Sequence, residues 1–204
     1  MAIARLGILG GLFDPPHIGH VALARAAIAE LGLERLLILV VADPGHKRAT
    51  TPARLRLELT RLAVEDVPGV EVEPDSHART VDSLEARKPE EAVFVLGADE
   101  FVDFPSWKSP DRVLELVRLA VAMRPGVPDD RVHETHAHPS APDRVSYFDL
   151  EPVAVSSSLV RERAARGEPI DDLVPAGVAK AIMRLGLYTP LSRLPPRKKG
   201  RTPT

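Results

Sequence analysis

Two histidines, His17 and His20, stand on either side of Gly19 directly after Asp14-Pro15-Pro16. A small residue between them lets a phosphate chain approach the backbone, and both imidazoles can donate hydrogen bonds to its oxygens. Far along the chain, Ser156, Ser157 and Ser158 place three hydroxyls at a helix start, with Arg161 one turn inward. Such hydroxyls either cap the helix or, with the first-turn amides, face an anion, and an arginine there can fork onto phosphate oxygens. A third group, Pro44-Gly45-His46-Lys47, follows an apolar run. All three lie after strand-like segments, so they are expected to converge, and the chemistry they suit is phosphate handling. The P-loop pattern GxxxxGK[ST] is absent, and Gly7, Gly10 and Gly11 do not have GxGxxG spacing, so neither common nucleotide motif accounts for them.

The elements that must position these groups follow from periodicity. Leu6 to Leu9 reads as a short buried strand stopped by a tight turn at Gly10 and Gly11. Val21, Leu23, Ala24, Ala27, Ile28 and Leu31 fall on one helical face. Between them, Pro15 and Pro16 bar regular structure and make a fixed elbow whose helix start attracts a phosphate. Arg35 to Val41 (RLLILVV) is a second buried strand, completing a parallel β-α-β unit. Thr51 is expected to cap a helix with Pro52 in its first turn, running to about Glu65 with Leu55, Leu59, Leu62 and Ala63 inward. Further strands are expected at Val70 to Glu73, Ala92 to Leu96, Leu119 to Met123 and Val145 to Leu150. Helices are expected at Val81 to Lys88, Pro110 to Val117, Ser156 to Ala165 and Pro175 to Leu185. The alternation argues for an α/β fold, a Rossmann-like doubly wound parallel sheet flanked by helices in a single domain over 1–188, with its site at the carboxyl ends of the strands. Residues 127–143, rich in proline, aspartate and histidine, read as a mobile surface loop. Their His133, His136 and His138 fit a solvated loop better than a metal site.

Composition narrows the partners. The chain has 204 residues and no cysteine, so disulfides, cysteine-bound zinc and thiol catalysis are excluded. No apolar stretch approaches the roughly 20 residues of a membrane span, and the N-terminus enters a strand directly, which points to a cytoplasmic protein without a membrane partner. The formal charge is -2, but Arg193, Arg197, Lys198, Lys199 and Arg201 all lie in the proline-rich tail 189–204, expected to be disordered. Without them the body stands near -7, so the basic field of a nucleic-acid binder is missing and any phosphate site must be built locally.

Gly10-Gly11-Leu12-Phe13-Asp14-Pro15-Pro16-His17-Ile18-Gly19-His20 resembles the GGxFDPxHxGH signature of the nucleotidyltransferase superfamily. Within that superfamily the chain most resembles the bacterial nicotinate-nucleotide adenylyltransferases, and the likeness continues to Leu173-Val174-Pro175 and Gly186-Leu187-Tyr188. The resemblance implies transfer of the adenylyl group of ATP to nicotinate mononucleotide, with release of pyrophosphate and formation of deamido-NAD. It also implies Mg²⁺ held mainly by the ATP phosphates, and it leaves a homo-oligomer open. Catalytic roles fall to His17, His20, Lys47 in a P-x-H-K-like loop, and Arg161 in a segment resembling ISSTxIR. ATP contacts are implied for Gly10, Gly11, Phe13, Gly19, Ser156 and Ser157, and adenine recognition for Gly97 and Asp99 in a GxD-like turn. Asp99 could equally be a helix N-cap. The acceptor nucleotide would meet Trp107, which would stack on the nicotinate ring, Thr80 and Asp82 in a segment resembling T-x-D-T-L, and Arg124 in an RPG-like turn. Gly45 and Ser83 depart mildly from the commoner proline and threonine. Three other readings remain. A sister enzyme would adenylate pantetheine phosphate or transfer a cytidylyl group. A sensor would bind nucleotide without catalysis. A class I aminoacyl-tRNA synthetase is suggested by the literal HIGH at 17–20, although no KMSKS-like loop accompanies it.

Overall fold

The computed structural model describes residues 6–43, 49–123, 132, 134–135 and 141–189. Six strands form one parallel sheet in the order β3-β2-β1-β4-β5-β6: β1 (Leu6–Gly11), β2 (Arg35–Val41), β3 (Val70–Asp75), β4 (Val93–Gly97), β5 (Arg118–Met123) and β6 (Val145–Asp149). The helices between and after them are α1 (Ile18–Leu31), α2 (Ala53–Ala63), α3 (Thr80–Arg87), α4 (Ala98–Val102), α5 (Pro110–Leu116), α6 (Ser157–Arg166) and α7 (Ala176–Leu185). Strand order reverses between β1 and β4. That is the point at which a doubly wound sheet opens a crevice beyond the carboxyl ends of its strands.

Strand β2 shows why the sheet is covered on both faces. Leu36, Ile38 and Val40 enter one core beside Ala24, Ala27, Leu59 and Val178, whereas Leu37 and Leu39 enter a second core beside Leu84, Phe101 and Leu114. A strand apolar on both faces needs helices on both, and α1, α2, α6 and α7 line the first face while α3, α4 and α5 line the second.

Several expectations are corrected. Gly10 and Gly11 are the last two residues of β1, not a turn. The backbone turns instead at Phe13, whose φ is 51°, followed by a cis Asp14–Pro15 bond. The glycines serve close packing: a Cβ on Gly10 would stand 3.3 Å from the Phe94 ring, and one on Gly11 3.0 Å from Phe13. Pro52, not Thr51, occupies the N-cap of α2, and the helix ends at Ala63 rather than Glu65. The Thr51 hydroxyl is engaged elsewhere, donating to the Tyr188 oxygen at 2.9 Å. Within 127–143, Val132 and Thr135 are buried, so that part is not a solvated surface loop. His133, His136, His138 and nearly all of the tail lie outside the described residues.

Candidate active site

The carboxyl ends of β1, β3 and β4 open into a cleft of about 840 Å³. On its floor, the elbow after β1 presents His17 as the N-cap of α1 and His20 in the first turn. Their rings stack with centroids 3.7 Å apart, and Phe13 meets His20 edge-on at 4.9 Å. The His17 backbone N–H donates to His20 Nδ1 at 3.1 Å. That nitrogen must therefore be unprotonated, which places the proton on Nε2. Burial, and after it the neighbouring His17, hold the His20 imidazole well below the usual histidine range. His20 is thus a neutral ring with one N–H to offer an oxyanion. Gly19 has to be small, because a Cβ there would stand 3.1 Å from the His17 ring and 3.1 Å from Val155.

A second wall comes from the start of α6. Ser156 caps the helix by accepting from the Leu159 N–H at 3.1 Å. Ser157 Oγ donates to the Pro15 carbonyl at 2.8 Å, tying α6 to the elbow. Arg161 donates through Nη1 to the Asp14 carbonyl at 2.6 Å and through Nη2 to Ser158 Oγ at 3.0 Å. Ser157 spends its proton on Pro15, whereas Ser156 and Ser158 act as acceptors in these bonds and keep an O–H to offer an anion beside the first-turn amides.

The opposite wall is built from α3 and the segment after α4. Thr80 and Trp107 line the cleft, as do Gly97 and Asp99. Trp107 is half-buried, edge-on to Phe94 at 6.0 Å and Phe104 at 5.4 Å. Asp99 is the second residue of α4, whose N-cap is Gly97, so the capping alternative for Asp99 does not hold. Asp82 is turned to Lys108, 2.7 Å away, instead of to the cleft lining. Lys47 and Arg124 lie outside the described residues. The remaining site expectations, Gly10, Gly11, Phe13, His17, Gly19, His20, Ser156, Ser157 and Arg161, all border this one cleft.

Four features went unread in the sequence. Asp14 is buried, and its carboxylate accepts from the Thr50 and Thr51 amides and the Tyr188 hydroxyl. Arg56 is 1% exposed and donates to the carbonyls of Leu12, Val41, Ala42 and Thr51 at 2.8–2.9 Å. Asp75 at the end of β3 holds His77 Nδ1 at 2.8 Å on the cleft wall. Ser83, also on that wall, is 2% exposed with no hydrogen-bond partner for its hydroxyl among the described residues. A charge inside an apolar helical face was the available signal for Arg56.

Comparison with known proteins places this geometry. The Cytidylyltransferase-like family model matches residues 8–163. A probable nicotinate-nucleotide adenylyltransferase of Thermomicrobium roseum is 37% identical over 98% of this chain and 99% of its own length. The chain belongs to the nicotinate-nucleotide adenylyltransferase family. Another family member, from Rubrobacter xylanophilus, is 37% identical over 90% of this chain and 92% of its own. The fold is shared with the Plasmodium falciparum nicotinic acid mononucleotide adenylyltransferase solved in complex with NaAD, at a TM-score of 0.72 and 16% identity, covering 90% of this chain and 96% of that one. Family membership and cleft agree in kind: a sheet crevice with anion donors on one side and an aromatic wall on the other.

Proposed function

We propose that the chain transfers the adenylyl group of ATP to nicotinate mononucleotide, giving deamido-NAD and pyrophosphate. The observation that carries the reading is near-full-length kinship with a family named for this reaction, in a chain whose elbow histidines, Arg161 and Trp107 border one cleft.

The acceptor phosphate has a second pKa of ~6 and is largely dianionic at neutral pH, so it needs no general base. One of its oxygens attacks the α-phosphorus in line, forming the new P–O bond as the bond to the β-phosphate oxygen breaks and pyrophosphate leaves with the electron pair. The protein's task is to hold two anions in line and to meet the charge on the leaving group. We assign that task to the His20 Nε2–H, to His17, Arg161 and Lys47, and to the amides around Gly10, Gly11, Phe13, Gly19, Ser156 and Ser157. Gly97 and Asp99 are assigned to the adenine, and Thr80, Trp107 and Arg124 to the acceptor, with Asp82 acting through Lys108, which borders the cleft. One donor of this kind is worth roughly 3 kcal/mol of barrier.

Mg²⁺ belongs to this reading as a companion of ATP. Among the described residues no group of three or more His, Cys, Asp or Glu side chains could hold an ion, and the Asp14 carboxylate already receives its own donors. An ion arriving on the triphosphate would supply charge neutralisation there, beside the His20 and Arg161 donors.

Pyrophosphate release from Mg²⁺-ATP tests the reading, with nicotinate mononucleotide, nicotinamide mononucleotide and 4'-phosphopantetheine offered separately. Turnover with the first acceptor, reduced at least a hundredfold in His20→Ala, is the expected result. Turnover only with phosphopantetheine would move the chain to a sister activity, and silence with all three would leave a nucleotide-binding protein without catalysis.

A further inference from the structure

We infer that Tyr188, in the turn after the last helix, is a positioning residue for the triphosphate site, acting through Asp14 on the elbow and on Arg161. The inference rests on the adenylyl-transfer reading above for the identity of the nucleotide.

Asp14 stands between the Phe13 turn and the elbow prolines, three residues before His17. It is 5% exposed, and its polar atoms are held from three directions. Oδ2 accepts from the backbone N–H groups of Thr50 and Thr51. Oδ1 accepts from the Tyr188 hydroxyl at 2.8 Å. The main-chain carbonyl accepts from Arg161 at 2.6 Å. One residue thereby joins the elbow, the segment leading into α2, the start of α6 and the chain after α7. Two of those pieces carry the proposed phosphate ligands.

Tyr188 is built for this contact. Its backbone lies in the left-handed region, φ 63°, which a tyrosine adopts only where the surroundings hold it. Its oxygen accepts from Thr51 Oγ1 at 2.9 Å, so its own proton is directed to Asp14. Burial raises the phenol pKa, keeping that proton in place across the working pH range. The bond spans 174 positions of sequence, so no local turn could supply it.

Removing the hydroxyl alone leaves Oδ1 of a buried carboxylate without its donor. Arg161 is already on the carbonyl of the same residue, so the carboxylate then competes for the guanidinium that the triphosphate needs. The acceptor wall, Thr80 and Trp107, has no part in this network. The effect should therefore divide between the two substrates, which a general loss of stability would not do.

The experiment compares wild type, Tyr188→Phe, Asp14→Asn and the double variant by isothermal titration with Mg²⁺-ATP and, separately, with nicotinate mononucleotide, alongside thermal unfolding. The titrations need no turnover, so they decide this inference even if the acceptor reading fails; that failure would appear independently as absent pyrophosphate release in wild type. Tyr188→Phe is expected to bind ATP about tenfold more weakly, the size expected for one donor lost from a buried carboxylate, with acceptor affinity within twofold of wild type. Losses in the double variant are expected to be less than additive, because both changes weaken the same Tyr188–Asp14 bond, one by removing its donor and the other by removing the charge on its acceptor. ATP affinity within twofold of wild type in Tyr188→Phe would overturn the assignment. So would equal weakening toward both ligands with a lowered unfolding temperature, or additive losses in the double variant. If Asp14→Asn does not fold, the single Tyr188→Phe comparison still decides.

Discussion

At the residue scale, the two groups that matter most are a neutral histidine and a charged arginine, each in a place that reverses its ordinary habit. His20 takes a backbone N–H on Nδ1 and is kept uncharged by burial. Its folded pKa lies below the 6.5 of an exposed histidine. Above pH 6.5 both folded and unfolded chains carry it neutral. As the pH falls below 6.5 the unfolded chain takes up a proton that the folded chain refuses, so stability drops, at up to ~1.4 kcal/mol per pH unit from this one group. Denaturant midpoints measured from pH 8 to pH 5 should show a steeper loss below 6.5 in wild type than in His20→Gln, which has no proton to gain. Arg56 poses the opposite problem, a buried cation with four backbone acceptors. Burial lowers its pKa while Asp14 and Tyr188 act to raise it. Arg56→Met strips donors from four carbonyls, three at the ends of β1 and β2 and one just before α2, and is expected to cost about 3–5 kcal/mol in equilibrium unfolding. Arg56→Lys should recover only part of that, since an ammonium cannot reproduce the planar fork.

At the element scale, the local rules that were legible are those in which one residue's chemistry decides. The bounds of β2 follow from RLLILVV because an uninterrupted apolar run of that length suits a strand buried on both faces. The hydroxyls at 156–158 allow either a cap or an anion contact, and in the structure Ser156 caps α6, so Ser156→Ala should lower stability by ~1 kcal/mol in thermal unfolding, with α6 fraying first. Where the structure departs from the sequence pattern the physical cause is shared: the conformations open to a residue do not decide which one the fold uses. Gly10 and Gly11 permit a turn but stay extended, because the Phe94 and Phe13 rings occupy the space a Cβ would need. The turn falls on Phe13, a position propensity alone would not choose. Thr51 could have capped α2, but its hydroxyl went to Tyr188, 137 residues away. Long-range partners of this kind, including those of Asp14 and Arg56, leave no periodic trace, so half of what holds the elbow was invisible until the fold was assembled. Gly19→Ala probes the same distinction. The new methyl would meet the His17 ring and Val155 at 3.1 Å, and it should weaken ATP binding more than it lowers the unfolding temperature.

At the scale of the whole molecule, the reversal of strand order between β1 and β4 sorts the cleft into two sides. The elbow and α6 form one side, where the anion donors gather, and α3 with the segment carrying Trp107 forms the other. In-line transfer needs this separation, because two polyanionic substrates must meet at one phosphorus while their remaining charges are held apart. Trp107 makes the division measurable, since it is the one tryptophan in the chain and it borders the cleft. Its ring packs in T-shaped contacts with Phe94 and Phe104 at the border of the cleft, where a flat ligand could meet it. Intrinsic fluorescence should therefore be quenched on titration with nicotinate mononucleotide alone and change little with Mg²⁺-ATP alone. Trp107→Phe should raise the KM for the acceptor severalfold while the KM for ATP stays within twofold. An equal response of the fluorescence to both ligands, or a rise in both KM values together, would mean that the indole serves the second core and not the acceptor. The nicotinate ring would then have to be held by the α3 side of the cleft, where Ser83 and the Asp75–His77 pair become the groups to change next.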